Sequence, residues 1–390
     1  MKLLIYARDW APSVGGVQTI VKTLADGLAE WSSKHSEAPI EVTLLTQTPA
    51  GSMNDSQLPY RVVRKPGLMD FIREIRKADV VHLAGPTLVP LVIGYLLRKP
   101  MVIEHHGFQT ICPNGQLVYE PTQTLCPGHF MARRYGECIR CNSKLGGVTS
   151  VKMWMLTFPR RWFSQRVSAN IVPTSWLGAL LQLNRSKTIL HGLPPRKSSP
   201  ERRATTTVPT FVFLGRLVST KGVRVLIEAA GLLKSKHGDF RVRIIGDGPE
   251  RRELEKLVRD LGTQNYMQFV GYVPDEQLEE YLADTTAVVV PSLAGEVFGL
   301  VAAENMQVGR LVIASDIGSL SEVLGDAGMT FAAGDAEGLA RCMDDVIADP
   351  MLAAQIGQKA VRRVAGAFAA DQMVSNHLRV YQELSIIERT

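Results

Sequence analysis

AVVVPSLAGEVFGLVAAENM, residues 287 to 306, decides the fold of this chain. Three consecutive valines closed by Pro291 and Ser292 read as a strand buried on both faces, and such strands belong to parallel sheets. The residues that follow then lie at the strand's carboxyl end, where doubly wound α/β sheets bind their ligands. Glu296 falls in that loop, and a helix is expected to open near Phe298. Its first N–H groups, around Phe298, Gly299 and Leu300, would face the loop and favour an anion there. Glu304, almost two turns in, would direct its side chain toward the same end. Two carboxylates beside exposed amides suit a ligand that is part phosphate and part polyol. An ordinary capped helix with solvated glutamates is the plainer reading of the same residues.

Outside this stretch, 390 residues with 45% hydrophobic content exceed one ordinary core and predict two domains. The longest apolar run, residues 88–97, is ten residues and too short to cross a bilayer. MKLLIYARDW at the amino terminus lacks a signal peptide's apolar stretch, so a cytoplasmic location is expected. Residues 1–200 hold 24 Lys and Arg against 12 Asp and Glu, a net of +12, leaving 20 against 26, a net of −6, for residues 201–390. No nucleic-acid-binding motif accompanies the basic half, so its expected partner is an anionic membrane surface, on the inner face of the membrane, and not DNA or RNA.

The first half alternates apolar strands with helical patterns: KLLIYA, a helix over 17–31, VTLLTQ, VVHLAG, MVIEHHG, ANIVPTS and KTILHGL. That is a doubly wound α/β pattern. Gly15 and Gly16 stand where the first strand turns into the first helix, a position at which a ligand can approach the backbone closely. MVIEHHG ends in His105 and His106, of which His106, nearer the loop, is expected to face the site. Residues 108–147 lack clear periodicity and hold Cys112, Cys126, Cys138 and Cys141. In a cytosolic chain four clustered cysteines read as ligands of a structural zinc, with an iron–sulfur cluster and plain thiols as the alternatives.

From Val151 to Arg203 ten basic residues face the single acid Glu201, and SVKMWMLTFPRRWFSQR interleaves aromatics with arginines as interfacial segments do. A core helix with a basic edge fits that segment equally, and Pro159 is expected to interrupt it. Residues 196–209, rich in Ser, Thr and Pro, read as the linker between a domain over 1–195 and one over 210–370, with a closing helix over 371–390 that could pack on either.

The second half restarts the alternation with TFVFLG, RVRIIG, MQFVGYV, AVVVPS, RLVIAS and MTFAA. GRLVSTKGV puts Arg216 and Lys221 just past a carboxyl strand end, where two cations can neutralise a diphosphate, although Lys221 also reads as a solvated residue at a helix start. No Asp-x-Asp pair occurs in the sequence, so a catalytic divalent cation is not expected.

In order and spacing, GRLVSTKGV, IIGDGPE, FVGYV, PSLAGEVFGLVAAENM and SDIGSLSEVLGDAG resemble the donor-binding domain of glycosyltransferase family 4. GGVQ and the strand ending in HHG are similar to that family's acceptor domain. The resemblance implies a GT-B fold, two Rossmann-like doubly wound parallel-sheet domains facing a cleft, and sugar transfer with retention of configuration. It implies that Glu304 binds the nucleotide ribose, that Glu296 contacts the donor sugar, and that Arg216 and Lys221 hold the diphosphate. Gly15, Gly16, Tyr272, Val273, Phe298, Gly299 and Leu300 would complete the donor site, with His106 as the active-site histidine. The donor would be a UDP- or GDP-sugar and the acceptor a glycan, a lipid-linked molecule or a small molecule in polysaccharide assembly, where some members carry a similar cysteine insertion. His191-Gly192-Leu193 departs from the family's Asn-Gly-Val and Ser321 from its Pro, both expected to lie away from these contacts. A GT-B epimerase or hydrolase, and a non-catalytic sugar-nucleotide-binding protein, are the alternatives.

Overall fold

In a computed structural model residues 1–51, 53–196, 208–349 and 351–387 are described. They form two compact units, one of Met1–Pro121, Cys126–Pro194 and Phe368–Thr390, the other of Thr122–Leu125 and Pro195–Ala367. Most of the segment read as a linker, from 197 to 207, lies outside the described residues.

The first unit is built on seven parallel strands: β1 (Lys2–Tyr6), β2 (Glu41–Thr46), β3 (Arg61–Arg64), β4 (Val80–Ala84), β5 (Met101–Glu104), β6 (Ala169–Val172) and β7 (Ser186–Thr188). Their order is β3-β2-β1-β4-β5-β6-β7, so the chain reverses its direction of travel across the sheet between β1 and β4. Leu4, Tyr6, Val81, Leu83 and Ile103 supply the core on one face. The helix Gly16–Lys34 buries Ile20, Val21, Leu24, Ala25 and Leu28, the 3.6-residue stripe legible in the sequence. β3, only four residues long and nowhere fully buried, was too short and too polar a run to predict.

The carboxy-terminal helix Ala370–Ile387 belongs to this unit. A methyl group on Gly27 would stand 2.5 Å from Val374, and one on Gly192 2.6 Å from the Ala370 Cα, so small residues let the helix seat closely. HGL at 191–193 is not strand: β7 stops at Thr188, and Leu193 makes an isolated bridge to Ala369.

Two further expectations fail in this unit. The helix Gly147–Ser164 runs through Pro159 instead of stopping there. The proline leaves the Met155 carbonyl without a helical partner, and Met155 is exposed, so water can satisfy that group. The cysteine insertion is also less irregular than its sequence suggests. It contains the helix Tyr135–Cys141 and buries Phe108, Ile111, Leu117, Val118 and Phe130, a small apolar core without helical or strand period.

The second unit holds six parallel strands: β8 (Thr210–Leu214), β9 (Arg241–Ile245), β10 (Met267–Gly271), β11 (Ala287–Val290), β12 (Leu311–Ser315) and β13 (Met329–Phe331). Their order is β10-β9-β8-β11-β12-β13, with the reversal between β8 and β11. All four residues of β11 are buried, as a strand covered on both faces requires. Phe211, Phe213, Val289, Leu311, Ile313 and the helix Val223–Leu233 make up much of its core.

Candidate functional site

In a doubly wound sheet the loops leaving the two strands at the reversal splay apart and open a crevice at their carboxyl ends. In the second unit those strands are β8 and β11, and the loops after them carry Arg216, Lys221 and Glu296. The Lys221 Nζ lies 2.5 Å from Glu296 Oε1, and the Ser292 hydroxyl donates to the same oxygen at 2.7 Å. Burial opposes the charge on Glu296, but Lys221 and Ser292 outweigh it and hold the carboxyl below its ordinary range. Lys221 is thus paired rather than solvated, while Arg216 is exposed beside it in sequence.

The two loops touch through backbone. Leu293 N–H donates to Thr220 O at 2.8 Å, and Gly222, at φ +65°, lies so close that an added methyl would meet the Pro291 carbonyl oxygen at 1.9 Å. Only glycine satisfies both the left-handed backbone and that approach. A neighbouring loop closes in the same manner, since Leu217 N–H donates to Asp247 O at 2.9 Å.

The helix after Glu296 spans Leu300–Gln307, capped by Gly299 at φ +91°. It starts two residues later than expected because Phe298 turns inward and is buried, and only glycine readily adopts the backbone at 299. Glu304 does not share Glu296's partners. Its Oε2 lies 3.4 Å from Arg196, which also contacts Glu279 at 3.1 Å, and Glu279 in turn meets Arg310 at 2.5 Å. Burial raises the Glu304 carboxyl, with Arg196 acting against it. Arg196, Glu279 and Arg310 were not foreseen, because nothing in their local sequence marks them as a network. Of the remaining expected donor residues, Tyr272 is largely exposed just past β10 and Val273 is buried.

In the first unit the reversal lies between β1 and β4, and Gly15 and Gly16 end the loop that follows β1. Gly15 is extended, and a methyl there would meet only the end of the Gln18 side chain, so this position does not require glycine for its backbone. At the end of β5, His105 is fully buried with Nε2 2.8 Å from Asn170 Oδ1, and burial pushes it down to about 4. His106 is the more accessible of the pair.

Four histidines surround Glu104, which the sequence reading did not single out. Glu104 Oε2 lies 3.2 Å from His82 Nε2 and 3.4 Å from His106 Nε2; Oε1 lies 3.5 Å from His191 Nδ1 and 3.6 Å from His377 Nε2. His191, expected to lie apart from the site, stacks on His106 with ring centroids 5.1 Å apart. The sequence did hold a signal: a glutamate and a histidine inside otherwise apolar strands, MVIE and VVHLA, are costly to bury without partners.

The four cysteines Cys112, Cys126, Cys138 and Cys141 line one small cavity together with His129. Burial pushes Cys112 up to about 11 and Cys138 up to about 12, as for thiols rather than thiolates. Among the described residues, the groups of three metal-binding side chains whose ligand atoms lie within 4.8 Å of one another are both centred on Glu104, and the cysteines are not among them. The thiols therefore converge without closing into a four-sulfur shell.

On the outside of this unit, the helix Gly147–Ser164 exposes Val148, Val151, Met155 and Trp162, and the helix Leu88–Leu96 exposes Val89, Tyr95 and Leu96. Tyr95 and Trp162 join the two at 5.5 Å between rings, and the Arg166 guanidinium covers Trp162. None of the described helices is long and apolar enough to cross a membrane.

Residues 196–363 match the family described as glycosyl transferases group 1. Over 179 residues the chain is 32% identical to the phosphatidyl-myo-inositol mannosyltransferase of Mycolicibacterium smegmatis, covering 45% of each protein. Over 239 residues it is 29% identical to the lipopolysaccharide core biosynthesis mannosyltransferase LpcC of Rhizobium leguminosarum, covering 57% of this chain and 67% of that one. The chain spans less than half the length of most curated relatives it matches. Among solved structures, Anabaena Alr3699/HepE in complex with UDP and glucose superposes with a TM-score of 0.69 at 18% identity, over 98% of this chain and all of that one. Residues 196–363, which make up most of the second unit, are a group 1 glycosyltransferase domain, and the chain as a whole shares the two-unit GT-B fold of the Anabaena neighbour.

Proposed function

We propose that this protein is a retaining glycosyltransferase that moves a sugar from a nucleotide diphosphate sugar, UDP- or GDP-linked, to a glycan or lipid-linked acceptor in the assembly of a cell-surface polysaccharide. The observation that carries this reading is the pairing of Lys221 with Glu296 at the sheet reversal of the second unit, next to the exposed Arg216. On this reading a donor diphosphate takes up Lys221 and Arg216, and frees Glu296 to accept hydrogen bonds from the sugar. The departing diphosphate draws charge as the glycosidic bond breaks, and two fixed cations stabilise that charge without a metal ion. Glu304 serves the ribose, and its partner Arg196 opposes the upward push that burial exerts on the carboxyl. The Anabaena neighbour's UDP supports a nucleotide donor.

His106, oriented by Glu104 and stacked on His191, serves the acceptor side in the first unit. The exposed apolar face of the helices Leu88–Leu96 and Gly147–Ser164, edged by Arg98, Lys99, Lys152 and Arg166, docks on an anionic membrane, on the inner face, where a lipid-linked acceptor would lie. Cys112, Cys126, Cys138 and Cys141 draw together around a structural zinc that tightens the insertion.

A thermal-shift screen of sugar nucleotides identifies the donor, since a ligand at 100 times its dissociation constant stabilises by about 2.7 kcal/mol. Incubation of that donor with and without lipid-linked acceptors then decides the reaction. Product in which the anomeric configuration is kept is expected only when acceptor is present. Free sugar or an epimerised nucleotide formed without acceptor would replace transfer with hydrolysis or epimerisation.

A further inference from the structure

We propose that Glu104, His82 and His377 bind one divalent cation of the zinc class inside the first unit. The three come from separate elements, β5, β4 and the carboxy-terminal helix, and each is fully buried. The proposal is independent of the donor site and of the cysteines.

Distances carry the first step. His82 Nε2 and His377 Nε2 stand 3.2 and 3.6 Å from the Glu104 oxygens, and none of these atoms has a hydrogen-bond partner. A buried carboxylate left in that state is expensive. Two nitrogen or oxygen ligands about 2.0–2.1 Å from a tetrahedral zinc lie about 3.3 Å from each other. The 3.6 Å spacing is too long for a hydrogen bond and the 3.2 Å one is at its upper end, both are ordinary for two ligands of one ion, and the three ligand atoms form a set within 4.8 Å.

Proton direction carries the second step. His377 Nδ1 lies 2.9 Å from the Met373 carbonyl oxygen. A carbonyl only accepts, so Nδ1 must hold the proton, and in the neutral ring Nε2 is then a bare lone pair. That lone pair faces a Glu104 oxygen, which also only accepts when unprotonated, so either a proton or a metal cation must lie between the two atoms. Metal-bound histidines commonly donate the other ring N–H to a backbone carbonyl in this manner. His82 has a similar outer partner, with Nδ1 2.9 Å from the Tyr381 hydroxyl. Glu104, His106 and His191 form a second set on the same carboxylate, but His106 is more accessible and is assigned above to the acceptor. The buried set is therefore the ion's site. Such an ion fastens the carboxy-terminal helix to β4 and β5 and fixes Glu104, which stands 3.4 Å from His106.

The test begins with the full-length protein, dialysed against zinc and freed of excess. Elemental analysis and X-ray absorption at the zinc edge should find an ion whose nearest neighbours are nitrogen and oxygen, whatever the cysteines hold. In a Cys138→Ser/Cys141→Ser background one ion per chain should remain, with no sulfur in its shell. His377→Gln in that background should release it. Full-length protein without zinc, or with zinc surrounded only by sulfur, would overturn the proposal and leave Glu104 paired with a protonated His377. The wild-type spectrum decides even if a variant fails to fold.

Discussion

Lys221→Met isolates the pairing with Glu296 on which the proposed donor site rests. The Glu296 side chain is 12% exposed and keeps the Ser292 hydroxyl after the lysine is gone. Removing one partner of a buried ion pair costs about 3–5 kcal/mol, and the retained hydroxyl and partial exposure reduce this to about 2–3 kcal/mol. For a unit of this size each kcal/mol moves the midpoint by about 2–4 °C, so the second unit should melt about 5–10 °C lower at neutral pH. The pH dependence has a definite sign. In the wild type Glu296 is held below its ordinary range, so the pair's contribution is present above the unfolded carboxylate pKa of about 4.3 and is lost as pH falls through the lower folded value. In the variant burial acts without the lysine and raises the carboxyl, so the penalty is largest at neutral pH and shrinks toward acid as Glu296 takes up a proton. Denaturant unfolding of both proteins at pH 7 and near pH 4 measures the difference. Adding Glu296→Gln should recover much of the stability while leaving donor binding weak, because the diphosphate still lacks its cation. A stability loss that is the same at both pH values would refute the buried pairing, and unchanged donor binding in Lys221→Met would refute its role.

Gly222→Ala should destabilise the second unit by more than about 1 kcal/mol and weaken donor binding, since the new methyl meets the Pro291 carbonyl oxygen at a left-handed backbone position, whereas Gly15→Ala should change stability little; equal effects in chemical denaturation would count against the close approach of the two loops. Co-sedimentation with anionic vesicles should fall steeply with salt and be lost in Val148→Glu/Met155→Glu, two exposed positions. Equal recovery with neutral vesicles, or no change in that variant, would point to a soluble acceptor.

How much of this was legible follows the periodicity of each segment. β8, β11 and β12 are short runs buried along almost their whole length, readable because a strand covered on both faces has little polar alternation to obscure it. β9, with arginines at alternate positions, and the partly buried β10 and β13 were readable instead from their apolar residues and adjoining glycines. Arg216, Lys221 and Glu296 were readable because they stand in loops that directly follow such strands. Helix boundaries were less so: the start at Leu300 depends on Phe298 turning inward, which is a tertiary event. Pro159 was misread for a related reason, since one lost backbone bond on an exposed face costs less than the packing that an 18-residue helix retains. The Glu104 cluster was illegible because its members stand at 82, 104, 106, 191 and 377, and no local pattern connects positions so far apart.

The separation of those positions bears on how the first unit is completed. Its chain leaves at Pro194 and returns at Phe368, so the glycosyltransferase domain is inserted between the body of the unit and its last helix. That helix does more than cover the sheet. Tyr381 donates or accepts at His82, His377 meets Glu104, and Val374 fills the space that Gly27 leaves open. Without it Glu104 would remain in β5 with the partners from 82, 106 and 191 alone, and the surface of the helix Gly16–Lys34 that contacts it would be bare. Glu104, the neighbour of His106, is therefore contacted by residues that follow the entire glycosyltransferase domain in the chain. Isolating residues 1–194 removes His377 and Tyr381 from the cluster, so the surroundings of Glu104 and, through it, of His106 depend on the far end of the chain through contacts rather than through sequence.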